Sequence, residues 1–451
     1  MKLPGCLLLI VAIIALAGCS DAPRPRAAST PQPARGSGGS PVTITWSYWG
    51  DPPERSINER IVRLFEAEHP EIRVMTRWAP YGEYVQQLKQ WQASGDTPDV
   101  SFMSDVPEYA AAGQLTDLTP FIAASKFDLP DFYAQGVARF RYNGGLYGLP
   151  RDTDTKVIFF NKDLFDAAHT PLPQADWTWD DLRRAALALT THDASPRYGF
   201  AFETSAWWKL WVWQNGGEEY DDPANPKHLT LDTSAALDAL RFLRDLIYVD
   251  RVTPPVAALD SSEQIGNLFA AGRLAMAFGN HALVPLFAQT PGLHWGVVGL
   301  PKQVKQVNYA GGAGYVISAH TAHPQEAWTF LTWLLGSKGE AIFTESGLIV
   351  PSRRSVGNSN LFLQQGLPVA QKSGGPTPGA GVSLGEASSA VGRVFLAETE
   401  RGRADSQFPG YTAVADAVEA GLKPIWEQGA DPEQVVRALT PAIEALLGRA
   451  R

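Results

Sequence analysis

Cysteine is nearly missing from this chain, with two in 451 residues. That excludes a disulfide scaffold and any multi-cysteine metal or iron–sulfur site. Positive charge is in the minority: 38 Lys and Arg stand against 47 Asp and Glu, for a formal net charge of −9. A nucleic-acid partner is therefore excluded, because it would need a basic surface that displaces counterions. The apolar run Leu7 to Ala17 holds about eleven residues, and no later stretch approaches the roughly twenty that a membrane-spanning helix requires. Of the 8 histidines only His320 and His323 lie close together, with no His-Glu-x-x-His pattern. No Gly-x-Ser-x-Gly elbow, phosphate loop or dinucleotide fingerprint occurs either, so neither metal nor cofactor is expected. There is no internal repeat. What remains is a globular composition, 45% hydrophobic and 19% charged, long enough for two to three domains. It is unusually rich in tryptophan, with 14 residues.

The N-terminus indicates the compartment. Lys2 precedes the short apolar run, which ends in Leu16-Ala17-Gly18-Cys19. This resembles a bacterial lipobox, in which the cysteine receives a diacylglyceryl group and becomes the mature N-terminus. Residues 1–18 are expected to be a lipoprotein signal peptide and Cys19 the lipidated residue. Residues 19–40 are rich in Pro, Ala, Ser, Gly and Arg and are expected to form a disordered tether. The protein would be exported and held at a membrane by its lipid, each buried methylene contributing about 0.8 kcal/mol.

Beyond the tether, hydrophobic periodicity predicts strands at Val42–Trp46, Ile72–Val74 and Val100–Met103, with helices at 54–68 and 84–93 between them. Strand and helix alternate as in a parallel α/β unit. Short strands are predicted at 146–150, 157–160, 274–278 and 315–318, and helices at 177–190 and 233–249. Helices dominate after Pro324, at 324–335, 338–345, 411–427 and 431–448, the last capped by Asp431 with Pro432 at its first position. Residues 370–385 are rich in Gly, Pro and Ser and are predicted to be a surface loop.

Several segments occur in a telling order: Gln92-Ala93-Ser94-Gly95-Asp96-Thr97-Pro98-Asp99, Gly113-Gln114-Leu115-x-Asp117-Leu118, Gly145-Leu146-Tyr147-Gly148-Leu149-Pro150, Phe160-Asn161-Lys162-Asp163-Leu164-Phe165, Gly272-Arg273-Leu274-Ala275-Met276 with Gly279-Asn280, and Gly311-Gly312-x-Gly314-Tyr315. Together they resemble the extracellular solute-binding proteins of ABC importers, in the sugar-binding group that includes maltose-binding protein. The resemblance spans about residues 41–448 and is weakest over 355–410. It implies an α/β, two-lobed clamshell with three interlobe crossings, near Arg151–Asp154, Gly279-Asn280 and Ser318–Thr321. One lobe would comprise 41–152 plus 280–320, the other 153–279 plus 321–451. It further implies a monomer that binds a carbohydrate and passes it to permease transmembrane subunits without catalysis.

A sugar presents hydroxyls at its edges and C–H patches on its faces, so its site needs aromatic platforms and side chains that donate and accept hydrogen bonds. Trp46 and Trp49 end the first strand, where open α/β sheets place ligands. Asp105 follows the third strand in the same way. Trp207, Trp208, Trp211 and Trp213 crowd seven residues, more indoles than one buried face needs; Trp207, Trp208 and Trp211 are the candidates. Asp152 and Asp154 lie at the first expected crossing, Asn280 and His281 at the second. Gly311 and Gly312 permit close backbone approach, and Tyr315 or Tyr309 would line the wall. Arg353 and Tyr411 complete the set. Two other functions fit the same residues: an envelope glycosidase using Asp152 and Asp154, and a binder of a polyamine or phosphodiester. An anionic ligand would need more cations than Arg151 and Arg353 near the crossings.

Overall fold

The computed structural model describes residues 40–449 apart from 51, 206 and 365–383. The signal peptide, Cys19 and nearly all of the tether lie outside the described residues, as does the expected loop at 370–385 as far as residue 383.

Two sheets organise the chain. The first has the strand order Ile72–Ala79, Val42–Trp49, Val100–Met103, Gly314–Ile317, Gly148–Pro150. Its first three strands are parallel, with Val42 opposite Ile72 and Trp46 opposite Val100, and the last two join antiparallel. The second sheet runs Trp295–Val298, Val157–Asn161, Leu274–Gly279, Tyr198–Ala201. The expected α/β alternation is present, and most elements fall within a few residues of their predicted bounds. The first strand runs on to Trp49, and the last helix, Pro432–Arg449, has Asp431 accepting from the Gln434 N–H at 3.1 Å.

Each sheet carries helices that bury its apolar side chains. In the second sheet both faces are covered, so Val157-Ile158-Phe159-Phe160 reads as an unbroken apolar run. Val157 and Phe159 point into one core, with Phe269 and Phe287, while Ile158 and Phe160 point into the other, with Trp211 and Leu240. The first sheet buries Ile44, Trp46 and Phe102 against Phe65 and the helix Pro324–Leu334.

The sheets divide the chain differently from the expected lobes. Residues 280–320 do not go as a block with the first lobe. Leu283, Val284 and Phe287 enter a core of the second sheet, and Trp295–Val298 is a strand of it. Gly296 makes that pairing possible, because a Cβ there would stand 2.3 Å from the Phe160 ring. Conversely, Trp328, Phe330, Leu331, Ile342 and Phe343, expected in the second lobe, pack in the first sheet's core. The chain returns to the first sheet between Tyr309 and Gly314, not at Gly279-Asn280. It leaves that core only after Ile349, where Val350–Pro351 pairs with Asp152–Thr153, and not at Ser318–Thr321.

Candidate functional site

A cavity of about 850 Å³ opens where the strand ends of both sheets converge. Trp49 reaches it from the end of Val42–Trp49 and Asp105 from just past Val100–Met103. Arg151, Asp152 and Asp154 come from the link between the sheets, and Asn280 follows Leu274–Gly279. Trp207 and Lys209, Tyr309 and Gly312, and Asp405, Gln407, Tyr411 and Thr412 complete much of the wall.

Trp49 is half-buried, and its ring packs on Phe102 (centroids 4.2 Å apart) and Tyr84 (5.5 Å). Asp105 accepts a 2.7 Å hydrogen bond from Thr412 Oγ1, in the helix Tyr411–Gln428. Burial raises the Asp105 carboxyl above its ordinary range, against the Thr412 hydrogen bond. In the link, Arg151 holds Asp152 through Nε at 2.7 Å and Glu54 through Nη1 at 2.7 Å, with its guanidinium 4.0 Å over the Phe102 ring. Lys156 Nζ lies 3.0 Å from the Asp154 carboxylate, which also accepts from Asn280 Nδ2 at 3.1 Å. Gly312 has φ +109°, and a Cβ there would meet the Asp152 carbonyl oxygen at 2.5 Å, so only glycine fits against the link.

The far wall is a buried charge cluster. Asp405 receives Lys209, the Tyr309 hydroxyl at 2.7 Å and Arg139 at 3.3 Å. Burial alone would raise the Asp405 carboxyl, but Lys209 and Arg139 overcome it and hold the group at about 2. The four cations in or behind the wall, Arg139, Arg151, Lys156 and Lys209, are all matched by carboxylates. The cavity therefore offers aromatic surface and dense hydrogen-bonding capacity with little net charge.

Among the expected site residues, Trp49, Asp105, Asp152, Asp154, Trp207, Asn280, Gly312 and Tyr411 are brought together at this cavity. The other ligand-site candidates are not part of its lining. Trp46 is fully buried, packed on Phe330 (5.2 Å) and Tyr48 (4.7 Å), because its side chain takes the core face of its strand. Trp208 and Trp211 are buried because Trp208–Gln214 is a helix covered on all sides; Trp211 packs on Trp179 and Phe242. His281 points inward, its Nδ1 2.9 Å from the Gly347 carbonyl oxygen, and burial lowers its imidazole to about 4. Gly311 lies against the Tyr309 ring, and Tyr315 is buried behind the wall beside Trp46 and Phe102. Arg353 is a structural clamp, paired with Asp131 at 2.9 Å and near Glu340 at 3.6 Å.

Sequence reasoning missed Arg139, Lys209 and Asp405. Lys209 had a visible signal: it is the lone charge inside Trp207-Trp208-Lys209-Leu210-Trp211, and a lysine in a fully buried helix needs a buried partner. Asp405 lies in the stretch where family resemblance is weakest. Among the described residues no group of three or more His, Cys, Asp or Glu is placed to hold a metal, and no helix is long and apolar enough to cross a membrane.

Comparison with known proteins agrees with this architecture. An ABC substrate-binding protein of Listeria monocytogenes in complex with cycloalternan superposes with a TM-score of 0.76 at 22% identity, covering 91% of this chain and 100% of the other. The sugar-binding protein MalE of Xanthomonas citri gives a TM-score of 0.76 at 20% identity, covering 90% and 98%. In sequence, the galactooligosaccharide-binding protein of Bacillus subtilis is 23% identical over 329 residues, 70% of this chain and 74% of that protein. The fold is thus the two-lobed α/β architecture of these binding proteins. Residues 50–341, well over half the chain, match the bacterial extracellular solute-binding protein family, and the protein belongs to that family.

Proposed function

We propose that this protein is the capture component of an ABC importer, taking a mono- or oligosaccharide between its two sheets and delivering it unchanged to permease subunits. The observation that carries this reading is the cavity wall. Trp49, Trp207, Tyr309 and Tyr411 supply ring surface, while Asp105, Asp154, Asn280 and Gln407 supply hydrogen-bonding groups. The cations of the wall are all paired with carboxylates, which leaves no excess of positive charge to favour an anionic solute. The sugar ligands named for the Listeria and Bacillus relatives point the same way. Ligand bridging Trp49 and Asp105 on one side and Trp207 and Asn280 on the other favours the closed arrangement, because it binds that state more tightly.

The glycosidase reading finds little support. Asp152 and Asp154 are both committed to ion pairs, with Arg151 and Lys156. The protein acts as a monomer in this scheme. Cys19, with its lipobox, anchors it at the cell envelope; Cys19→Ala should release it from membranes, and unchanged retention would contradict the anchor.

A thermal-shift screen over a carbohydrate panel tests the function. A sugar at 100 times its dissociation constant adds about 2.7 kcal/mol of stability. No shift with any sugar, alongside a clear shift with a phosphodiester such as glycerophosphocholine, would replace this reading.

A further inference from the structure

Sugars and organic cations are recognised with the same parts, aromatic faces and carboxylates. The cavity has both, yet the protein fills the cation positions itself. Lys156 Nζ stands 3.7 Å from the centroid of the Trp207 ring and 3.0 Å from the Asp154 carboxylate. Its side chain is 2% exposed and is not part of the cavity wall, whereas Trp207 and Asp154 are. The ammonium thus takes the ring and the carboxylate that an incoming cation would need. Tyr309 is engaged likewise, with Lys209 Nζ 5.3 Å and the Arg139 guanidinium 5.7 Å from its centroid.

We propose that Lys156 is a specificity-determining residue, a tethered cation that makes the cavity reject amino sugars, quaternary ammonium compounds and polyamines while leaving Trp207 able to stack on a neutral sugar. This deepens the carbohydrate reading and rests on it for the identity of the neutral ligand. A cation on one side of an indole draws on the electron density that would attract a second, and so little water reaches Lys156 that its field is weakly screened. Stacking of neutral C–H groups depends on dispersion and apolar contact, which the ammonium leaves intact. Lys156→Met keeps an unbranched side chain and removes the charge. Trp207 and Asp154 then become a vacant cation site, with Asn280 the carboxylate's remaining partner.

The test is calorimetric titration of wild type, Lys156→Met, Lys156→Arg and Asp154→Asn. The probes are spermidine, choline, the neutral sugar giving the largest thermal shift, and its 2-amino-2-deoxy analogue. Wild type and Lys156→Arg should prefer the neutral sugar at least tenfold over its amino analogue and show no heat with spermidine or choline. Lys156→Met should lose at least tenfold of that preference and acquire binding of spermidine or choline. Asp154→Asn, which leaves the ammonium less compensated, should discriminate more strongly than wild type, so the inference stays testable if Lys156→Met does not fold. Wild-type binding of spermidine or choline would overturn it, as would a folded Lys156→Met with unchanged selectivity. If no neutral sugar binds, the carbohydrate reading fails, and the spermidine and choline titrations still decide the role of Lys156.

Discussion

Arg139 and Asp405 meet at 3.3 Å in the far wall of the cavity. Arg139 lies between Val137 and Phe140, both in the core of the first sheet, and Asp405 precedes Phe408, in a core of the second. The pair therefore joins the two halves of the molecule beside the site. Lys209 and Tyr309 converge on the same carboxylate.

That convergence has a pH signature. The folded-state Asp405 carboxyl is held at about 2, below its ordinary value. Its contribution to stability is complete above about pH 4 and is lost as pH falls toward 2, an amount on the order of 2 kcal/mol. Asp405→Asn should remove that acid limb. It should also cost about 3–5 kcal/mol at pH 7, because Lys209 and Arg139 are left buried without their partner. Urea unfolding from pH 2 to 7 measures both; an acid limb of unchanged size in the variant would contradict the assignment.

Four of the tryptophans separate into two classes. Trp207→Ala and Trp49→Ala should each weaken sugar binding by about 2 kcal/mol or more, roughly thirtyfold. Because both rings are half-buried, loss of apo stability should be modest. Trp46→Ala and Trp211→Ala should instead cost about 3–5 kcal/mol of stability. Affinity and apo melting temperature measured on all four distinguish the classes, and a fully stable Trp46→Ala would be inconsistent with its place in the core.

Much of the fold could be read from the chain, because strand and helix periods survive in single segments such as Val42–Trp49 and Pro432–Arg449. The grouping of segments could not. Trp295–Val298 is assigned to the second sheet by its pairing with Val157–Asn161, a contact between residues far apart in sequence. The cavity wall was legible at strand ends: Trp49, Asp105 and Asn280 lie where α/β sheets place ligands. The four-tryptophan run was ambiguous, because periodicity cannot show that every side of a seven-residue helix is covered. Arg139 and Asp405 left no local pattern, since their meaning lies in each other.

Gly312 tests the backbone of the link. Its φ of +109° and the 2.5 Å approach of a Cβ to the Asp152 carbonyl oxygen make Gly312→Ala a strained substitution, expected to cost about 1–3 kcal/mol. Displacement of Asp152 should lower sugar affinity in the same variant. Denaturant unfolding with parallel titration checks this; a variant with unaltered stability would show that the link yields freely.

A sugar that bridges both walls of the cavity should draw the two halves together around it. Small-angle X-ray scattering with and without the sugar that gives the largest thermal shift addresses it most directly. A smaller radius of gyration is expected at saturation, reversed when the sugar is dialysed away. Superimposable profiles with and without saturating sugar would contradict it.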